Sequence, residues 1–147
     1  MDTVKKTALL QFNDSVRMFV NDLKNIFGES DKEIIKIEIM LDLIKVNARL
    51  VIRPFQDAIC SNHDFVRHIM LEDKDFFVKY NFEESLADNE YHMRLLHKFR
   101  DAVKSSITDK KTLKAIFNWF KVMLYHAYID GGVDADTVMK AIAQGTD

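Results

Sequence analysis

The chain has 147 residues, of which 48% are hydrophobic and 30% are charged, and its formal net charge is −2. This composition excludes a disordered chain, and the charge is unlike the strongly basic balance of polyanion-binding domains. A chain of this length buries roughly 70% of its unfolded surface without disulfides or a metal, so we expect one domain over residues 1–147. Only four glycines and one proline are present, which favours long helices over turn-rich β folds. We therefore predict an all-α fold, a compact bundle of about five to seven helices.

Cys60 is the only cysteine, which excludes an intramolecular disulfide and makes a reducing, intracellular compartment the simplest expectation. The first apolar run of the chain is too short for the core of a signal peptide. Uncharged apolar residues never continue for the ~18 positions that a membrane-spanning helix needs, so no transmembrane segment is predicted.

The first predicted helix runs from about Thr3 to Phe27. Its apolar residues alternate steps of three and four, which places them on one stripe of a helix. The members of this stripe are Leu9, Phe12, Val16, Phe19, Leu23 and Ile26. Gly28 follows at the position where a left-handed C-cap ends a helix.

The second predicted helix begins at Ser30 or Asp31, because Ser30 and Glu33 have the form of a capping box. A narrow apolar stripe follows at helical spacing: Ile34, Ile37, Leu41 and Ile44. A second set widens the apolar surface well beyond one face: Ile35, Ile39, Met40 and Leu43. Such a helix is buried on two sides or contacts a partner, so Ile35 and Ile39 are candidate interface residues.

Pro54 lies inside a third predicted helix, from Ala48 to about Ile59. A proline breaks the hydrogen bonds of a helix interior, whereas the first turn of a helix tolerates it. Two alternatives therefore stay open: the middle helix is kinked at Pro54, or it starts near Pro54 and holds the proline in its first turn. Ser61 or Asn62 offers the next N-cap.

An acidic turn capped by Asp73 carries Phe76 and Phe77, and an irregular connection follows over residues 80–90. The remaining predicted elements are a helix over residues 89–105, a long helix from Thr108 or Asp109 to Asp130, and a short helix capped by Asp134.

No pattern in the chain predicts a catalytic, cofactor-binding or metal site. His63 and His68 are five residues apart, as are His92 and His97, whereas two ligands on one helical face need a spacing of three or four. The acidic segment over residues 130–136 lacks the glycine and the bidentate acid of an EF-hand loop at the required positions. We therefore expect a protein that is not an enzyme and has no cofactor. An enzyme whose site is assembled from distant residues is the alternative.

Residues 91–128 form a predicted basic helical hairpin, with eight basic residues against two acidic ones, while the rest of the chain carries a net charge of −8. Its candidate anion-binding residues are Arg94, Lys98, Lys104, Lys110, Lys111 and Lys114. Such a face suits nucleic acid or an acidic protein. Three other interpretations are open: the hairpin packs on the acidic remainder, it drives head-to-tail self-association, or its charges are simply solvated. The lack of a recognisable helix-turn-helix or RNA-binding motif disfavours nucleic acid.

Trp119 lies off the main apolar stripe of the long helix, on the same side as Val122 and His126. A large aromatic side chain on a second face is packed beneath a connection or offered to a partner, and tryptophan is enriched at binding hot spots. Trp119, Val122 and His126 therefore join Ile35 and Ile39 as the candidate partner interface.

The DKDFF segment (residues 73–77) follows a helix pair and precedes a helical hairpin that bears a tryptophan. In this arrangement the chain resembles small all-helical proteins of unassigned function from large double-stranded DNA viruses. In those proteins an acidic turn with two phenylalanines is followed by a final helix with a Trp-containing, aromatic-rich face. The similarity covers about Leu9 to Tyr128, and Pro54 departs from the pattern. The matching positions are Asp73, Asp75, Phe76, Phe77, Trp119 and Phe120. The resemblance implies a viral origin, with a place in the virion or the infected-cell cytoplasm, and it supplies no catalytic residue.

Taken together, these patterns favour a non-catalytic helical protein that docks on a protein partner or on itself, as a virion or assembly component. The alternative is a nucleic-acid-associated factor that uses the basic hairpin of residues 91–128.

Overall fold

The computed structural model describes residues 2–79, 90–106 and 108–145, and within these ranges it is helical, without strands. The predicted all-α class is confirmed, and the described residues contain eight α-helices, several of them short. They are α1 (Asp2–Phe27), α2 (Lys32–Asp42), α3 (Ile52–Phe55), α4 (His63–Met70), α5 (Lys74–Lys79), α6 (Glu90–Ser105), α7 (Lys110–Asp130) and α8 (Ala135–Ala143). The predicted irregular connection over residues 80–90 lies almost entirely outside the described residues.

The two longest helices, α1 and α7, form the centre of the fold. The rings of Phe19 and Phe120 meet edge to face with 5.4 Å between their centroids. The predicted stripe of α1 is confirmed, because its four central members are fully buried and its end members, Leu9 and Ile26, pack against the core from partly buried positions. Helical periodicity alone therefore identified the face of α1 that the rest of the chain covers.

Phe77 connects the shorter helices to this centre. Its ring contacts those of Phe65, Phe99 and Phe117, with centroid separations of 5.0, 5.1 and 5.7 Å. These rings come from α4, α6 and α7, so one buried side chain of α5 joins four helices. Edge-to-face aromatic contacts of this kind add about 1 kcal/mol each beyond their buried area.

The N-caps follow the sequence with one exception. Asn62, Asp109 and Asp134 cap α4, α7 and α8 as predicted. The predicted capping box at Ser30 is wrong, because Asp31 accepts hydrogen bonds from the backbone N–H groups of Glu33 and Ile34 at 3.0 Å. A carboxylate at this position also faces the positive end of the helix dipole, which favours it over a hydroxyl.

The chain path around Pro54 follows the second of the two alternatives. A kink is not confirmed; instead α3 begins at Ile52, so Pro54 stands in its first turn, and a π-helical turn over Gln56–Cys60 continues it. The predicted start at Ala48 is too early, because Ala48 belongs to a turn before the helix. Its carbonyl accepts a hydrogen bond from Asn13 Nδ2 at 2.9 Å. Tertiary contact with α1 therefore competes with helix formation in this segment.

Asp130 anchors this turn and the π-helical segment to the end of α7. It is a buried carboxylate that receives two hydrogen bonds from the guanidinium of Arg49, at 2.7 and 3.0 Å, and one from Gln56 Nε2 at 2.9 Å. The bond to Asp130 raises the pKa of Arg49. Charge-assisted bidentate pairs offset the cost of burying a carboxylate, which would be large if the charge stood alone.

We expect Arg49→Leu to lower the free energy of unfolding by about 3 kcal/mol, because it removes the guanidinium that makes the bidentate pair with the buried Asp130 carboxylate. Urea denaturation followed by circular dichroism measures the change. Arg53→Leu is the matched control, since Arg53 is exposed on the same segment and should change stability by no more than about 0.5 kcal/mol. Equal losses in both variants would show that the Asp130 pair contributes nothing specific.

Candidate functional site

Lys98 of the basic hairpin is an internal side chain. It is buried on α6, and its Nζ lies 2.9 Å from Asp31 Oδ2 and 3.8 Å from the ring centroid of Phe27. Asp31 therefore caps α2 with one carboxylate oxygen and binds Lys98 with the other. Burial opposes this charge, but the bonds from Lys98 and from the α2 backbone lower the pKa of Asp31 overall. The Lys98 charge is used inside the fold and is not presented to a partner.

Glu72 pairs with two more lysines of the hairpin. Its Oε2 lies 3.3 Å from Lys114 Nζ and 2.6 Å from Lys121 Nζ. Glu72 follows α4 with φ = 54°, a left-handed conformation that favours glycine, and its backbone N–H donates to the carbonyl of Ile69. Burial opposes ionisation of Glu72, but the two ammonium groups lower the pKa of its carboxyl overall.

The other candidate anion-binding residues divide into two groups. Lys104, Lys110 and Lys111 are exposed near the turn between α6 and α7. The side chain of Arg94 lies outside the described residues. Of the four interpretations of the basic hairpin, packing on the acidic remainder thus applies to Lys98 and Lys121. Lys114 also contacts Glu72, but its side chain is 65% exposed, so it remains part of the basic surface near the turn between α6 and α7.

Trp119 lies at the seam between α7 and α1. It is partly buried against the core, and its indole N–H donates a hydrogen bond to the carboxylate of Asp22 on α1. Val122, one turn further along, is 37% exposed. His126 is half-buried, and its Nδ1 is buried without a hydrogen-bond partner among the described residues. Burial lowers the pKa of His126. The polar edge of Trp119 is therefore already occupied within the chain.

The wide apolar surface of the second helix splits into two faces. Ile34, Ile37 and Ile44 are buried in the core. The opposite face is exposed and continues beyond α2 into the following 3₁₀ turn, Leu43–Lys45, and Val46. This exposed face consists of four apolar residues, which we call the α2 stripe: Ile35, Ile39, Leu43 and Val46. Their exposed fractions are 43%, 60%, 39% and 85%, in that order. Sequence analysis placed Ile35 and Ile39 on this surface, but it did not include Val46.

A groove of about 500 Å³ runs beside the α2 stripe, between α1 and α2. Val20 and Leu41 form its floor, and Ile35 and Ile39 line it on the α2 side. The stripe and the groove bring apolar side chains of the candidate interface together on one surface, whereas Trp119, Val122 and His126 lie elsewhere, at the α1–α7 seam.

Three further features of the described chain bear on catalysis and ligand binding: its metal-ligating side chains, its cysteine thiol and a second cleft. No three His, Cys, Asp or Glu side chains within residues 2–79, 90–106 and 108–145 come together as a metal site. Burial raises the pKa of the Cys60 thiol to about 12, which keeps it protonated and unreactive. A second cleft, of about 230 Å³, lies between α4 and α8 and is lined by His63, Arg67 and Ile142 among others. None of the helices described is long and apolar enough to span a membrane.

Comparison of the chain with protein-family models, with curated proteins and with solved structures gave no match. The resemblance to viral helical proteins therefore stays a prediction from the Asp73–Phe77 turn and Trp119. The structure gives this turn a packing role, because Asp73 accepts a hydrogen bond from the Phe76 backbone N–H at 3.3 Å and Phe77 is fully buried.

We expect the unfolding free energy to fall as the pH drops from about 7 to about 5, in part through His126. Its pKa is lower in the folded chain than the ordinary value of 6.5, so the unfolded chain binds the proton first and acid favours unfolding. The contribution of neutral His126 to the unfolding free energy is complete above pH 6.5, and it is lost as the pH falls through the pKa of His126 in the folded chain. The measurement is urea denaturation of the wild type and of His126→Gln across this range. The variant should show the weaker pH dependence, and parallel curves would contradict the assignment.

Proposed function

We propose that this chain is a non-catalytic helical interaction protein that docks on another protein through the α2 stripe. The observation that carries the proposal is the exposure of four apolar side chains on α2 and the turn that follows it. The other face of α2 already packs into the core. The core does not need these side chains. Contiguous exposed apolar surface on a folded domain is typical of a binding site.

The magnitude of the stripe agrees with an anchor for a partner. Burying four partly exposed aliphatic side chains contributes on the order of 4 kcal/mol at about 25 cal/mol per Å². A micromolar complex needs about 8 kcal/mol, so the stripe requires further contacts along its edges. The groove beside α2 supplies room for them. The resemblance to viral proteins adds a finer proposal, in which the partner belongs to a virion or its assembly.

Site-specific photo-crosslinking tests the docking function. A photoreactive amino acid at position 39 should give a crosslinked species with a partner from the native source, because Ile39 lies in the middle of the stripe. The control is the same amino acid at position 71, since Leu71 is 59% exposed and Ile39 is 60% exposed. We expect crosslinks from position 39 and few from position 71. A monomer by light scattering that crosslinks from neither position would contradict the proposal.

The nucleic-acid alternative rests on one observation, the exposure of Lys104, Lys110 and Lys111 at one end of the hairpin. Three phosphate contacts would make the logarithm of the binding constant fall with the logarithm of salt concentration with a slope of about −3.

The docking function predicts no measurable binding of short duplex DNA or single-stranded RNA at low salt in fluorescence anisotropy. Binding with the steep salt dependence, lost when all three lysines are changed to glutamate, would establish the alternative. Binding that survives this change would place the contact on another surface.

A further inference from the structure

The groove beside the α2 stripe has the shape of a trough between two antiparallel helices. Lys24 near the end of α1 lies 2.6 Å from Glu38 of α2, and Asn13 further back on α1 contacts the turn after α2 through Ala48. The helices therefore run in opposite directions, because earlier residues of α1 contact later residues of the second segment. Val20 and Leu41 on the floor and the two exposed isoleucines give the trough an apolar strip, and polar or charged side chains complete its lining: Arg17, Asn21, Lys24, Glu38 and Asp42.

The two walls of the groove carry opposite charges. The charged residues that α1 contributes to the lining, Arg17 and Lys24, are both basic, whereas those from α2, Glu38 and Asp42, are both acidic. Lys24 and Glu38 join across one end of the groove. At the other end Asp42 is exposed, and among the described residues Arg17 makes one ion pair, a solvent-exposed contact with Asp14 of its own helix at 3.3 Å. That end presents opposite charges on its two walls.

The size of the surface selects the kind of occupant. From Ile35 to Val46 the α2 stripe covers about 16 Å at the rise of a helix, which is about three turns. Nine residues line the groove. A stable dimer of globular subunits needs about 800 Å² and 20–30 residues on each side, so this surface alone falls short of what a second copy requires.

We propose that the groove between α1 and α2 binds one amphipathic helix of a protein partner. The inference rests on the proposed docking function and deepens it. The apolar ridge of the bound helix packs on Ile35, Ile39 and the floor. Its acidic flank faces Arg17 on α1, and its basic flank faces Asp42 on α2. Because the two walls differ in sign, a helix with divided flanks binds in one direction only.

The test is an NMR titration of the full chain, labelled with ¹⁵N, with two synthetic helical peptides of identical composition. Both carry leucines at i, i+3, i+4 and i+7. In the first peptide glutamates occupy one flank and lysines the other, whereas the second mixes the same charges over both flanks. We expect the divided peptide to bind about fivefold more tightly than the mixed one, with shift changes in α1 and α2.

Three variants sharpen the result. Ile39→Lys should weaken binding of the divided peptide by at least about tenfold, because it removes a central apolar anchor. Leu71→Lys is the control with matched exposure and should leave binding unchanged. Arg17→Asp makes both walls acidic at the open end of the groove, so it should remove the preference for the divided peptide while keeping a folded spectrum.

The inference fails if neither peptide shifts the α1 and α2 resonances, or if Arg17→Asp leaves the preference intact. It also fails if light scattering shows a wild-type dimer that Ile39→Lys converts to a monomer, since the occupant is then a second copy. Crosslinking from position 39 to a partner protein in the absence of peptide binding would overturn the helix-binding groove while the docking function stands.

Discussion

The antiparallel packing of α1 against α7 is the contact on which the other helices depend. The rings of Phe19 and Phe120 meet between the two helices, and toward one end the indole N–H of Trp119 donates a hydrogen bond to Asp22. At the other end, Asn13 of α1 and Asp130 of α7 both hold the turn that contains Ala48 and Arg49. The remaining helices cover this pair through apolar side chains, above all through Phe77 of α5. Because the apolar face of α1 is fully used here, its exposed side is free to form one wall of the α1–α2 groove.

Internal neutralisation decides which surface is left for a partner. Lys98 binds Asp31, and Glu72 binds Lys121 and the largely exposed Lys114, so carboxylates from the acidic part of the chain pair with three basic residues of the hairpin. These pairs also hold the hairpin against the turn after α1 and the turn after α4. A buried or shared lysine contributes to the fold and adds little to the attraction of a polyanion. Among the residues that the structure describes, none buries the apolar side chains of the α2 stripe, and this exposure supports the proposal of protein docking over that of nucleic-acid binding.

Local patterns in the sequence identify the helices, most of their caps and the buried face of α1, because these depend on residues three or four positions apart. The burial of Lys98 depends on Asp31, 67 positions away, and the bond of Trp119 depends on Asp22, 97 positions away. Neither pairing leaves a local signal, so Lys98 was a candidate anion-binding residue, and packing of the hairpin on the acidic remainder stayed an open alternative. The excess of apolar residues on the second helix did carry a signal, and Ile35 and Ile39 are exposed as an interface requires. The pattern did not predict Val46 as an interface residue, because Val46 lies beyond the last helical turn of that pattern.

Hydrogen–deuterium exchange on the chain with and without a partner purified from its native source tests the central claim most directly. We expect added protection over residues 35–46 and over the facing part of α1 that contains Arg17 and Asn21, because a partner on the α2 stripe shields these backbone amides. The turn between α6 and α7 should exchange at the same rate in both states. Protection confined to residues 104–114, with residues 35–46 unchanged, would contradict the claim and assign the working surface to the basic hairpin.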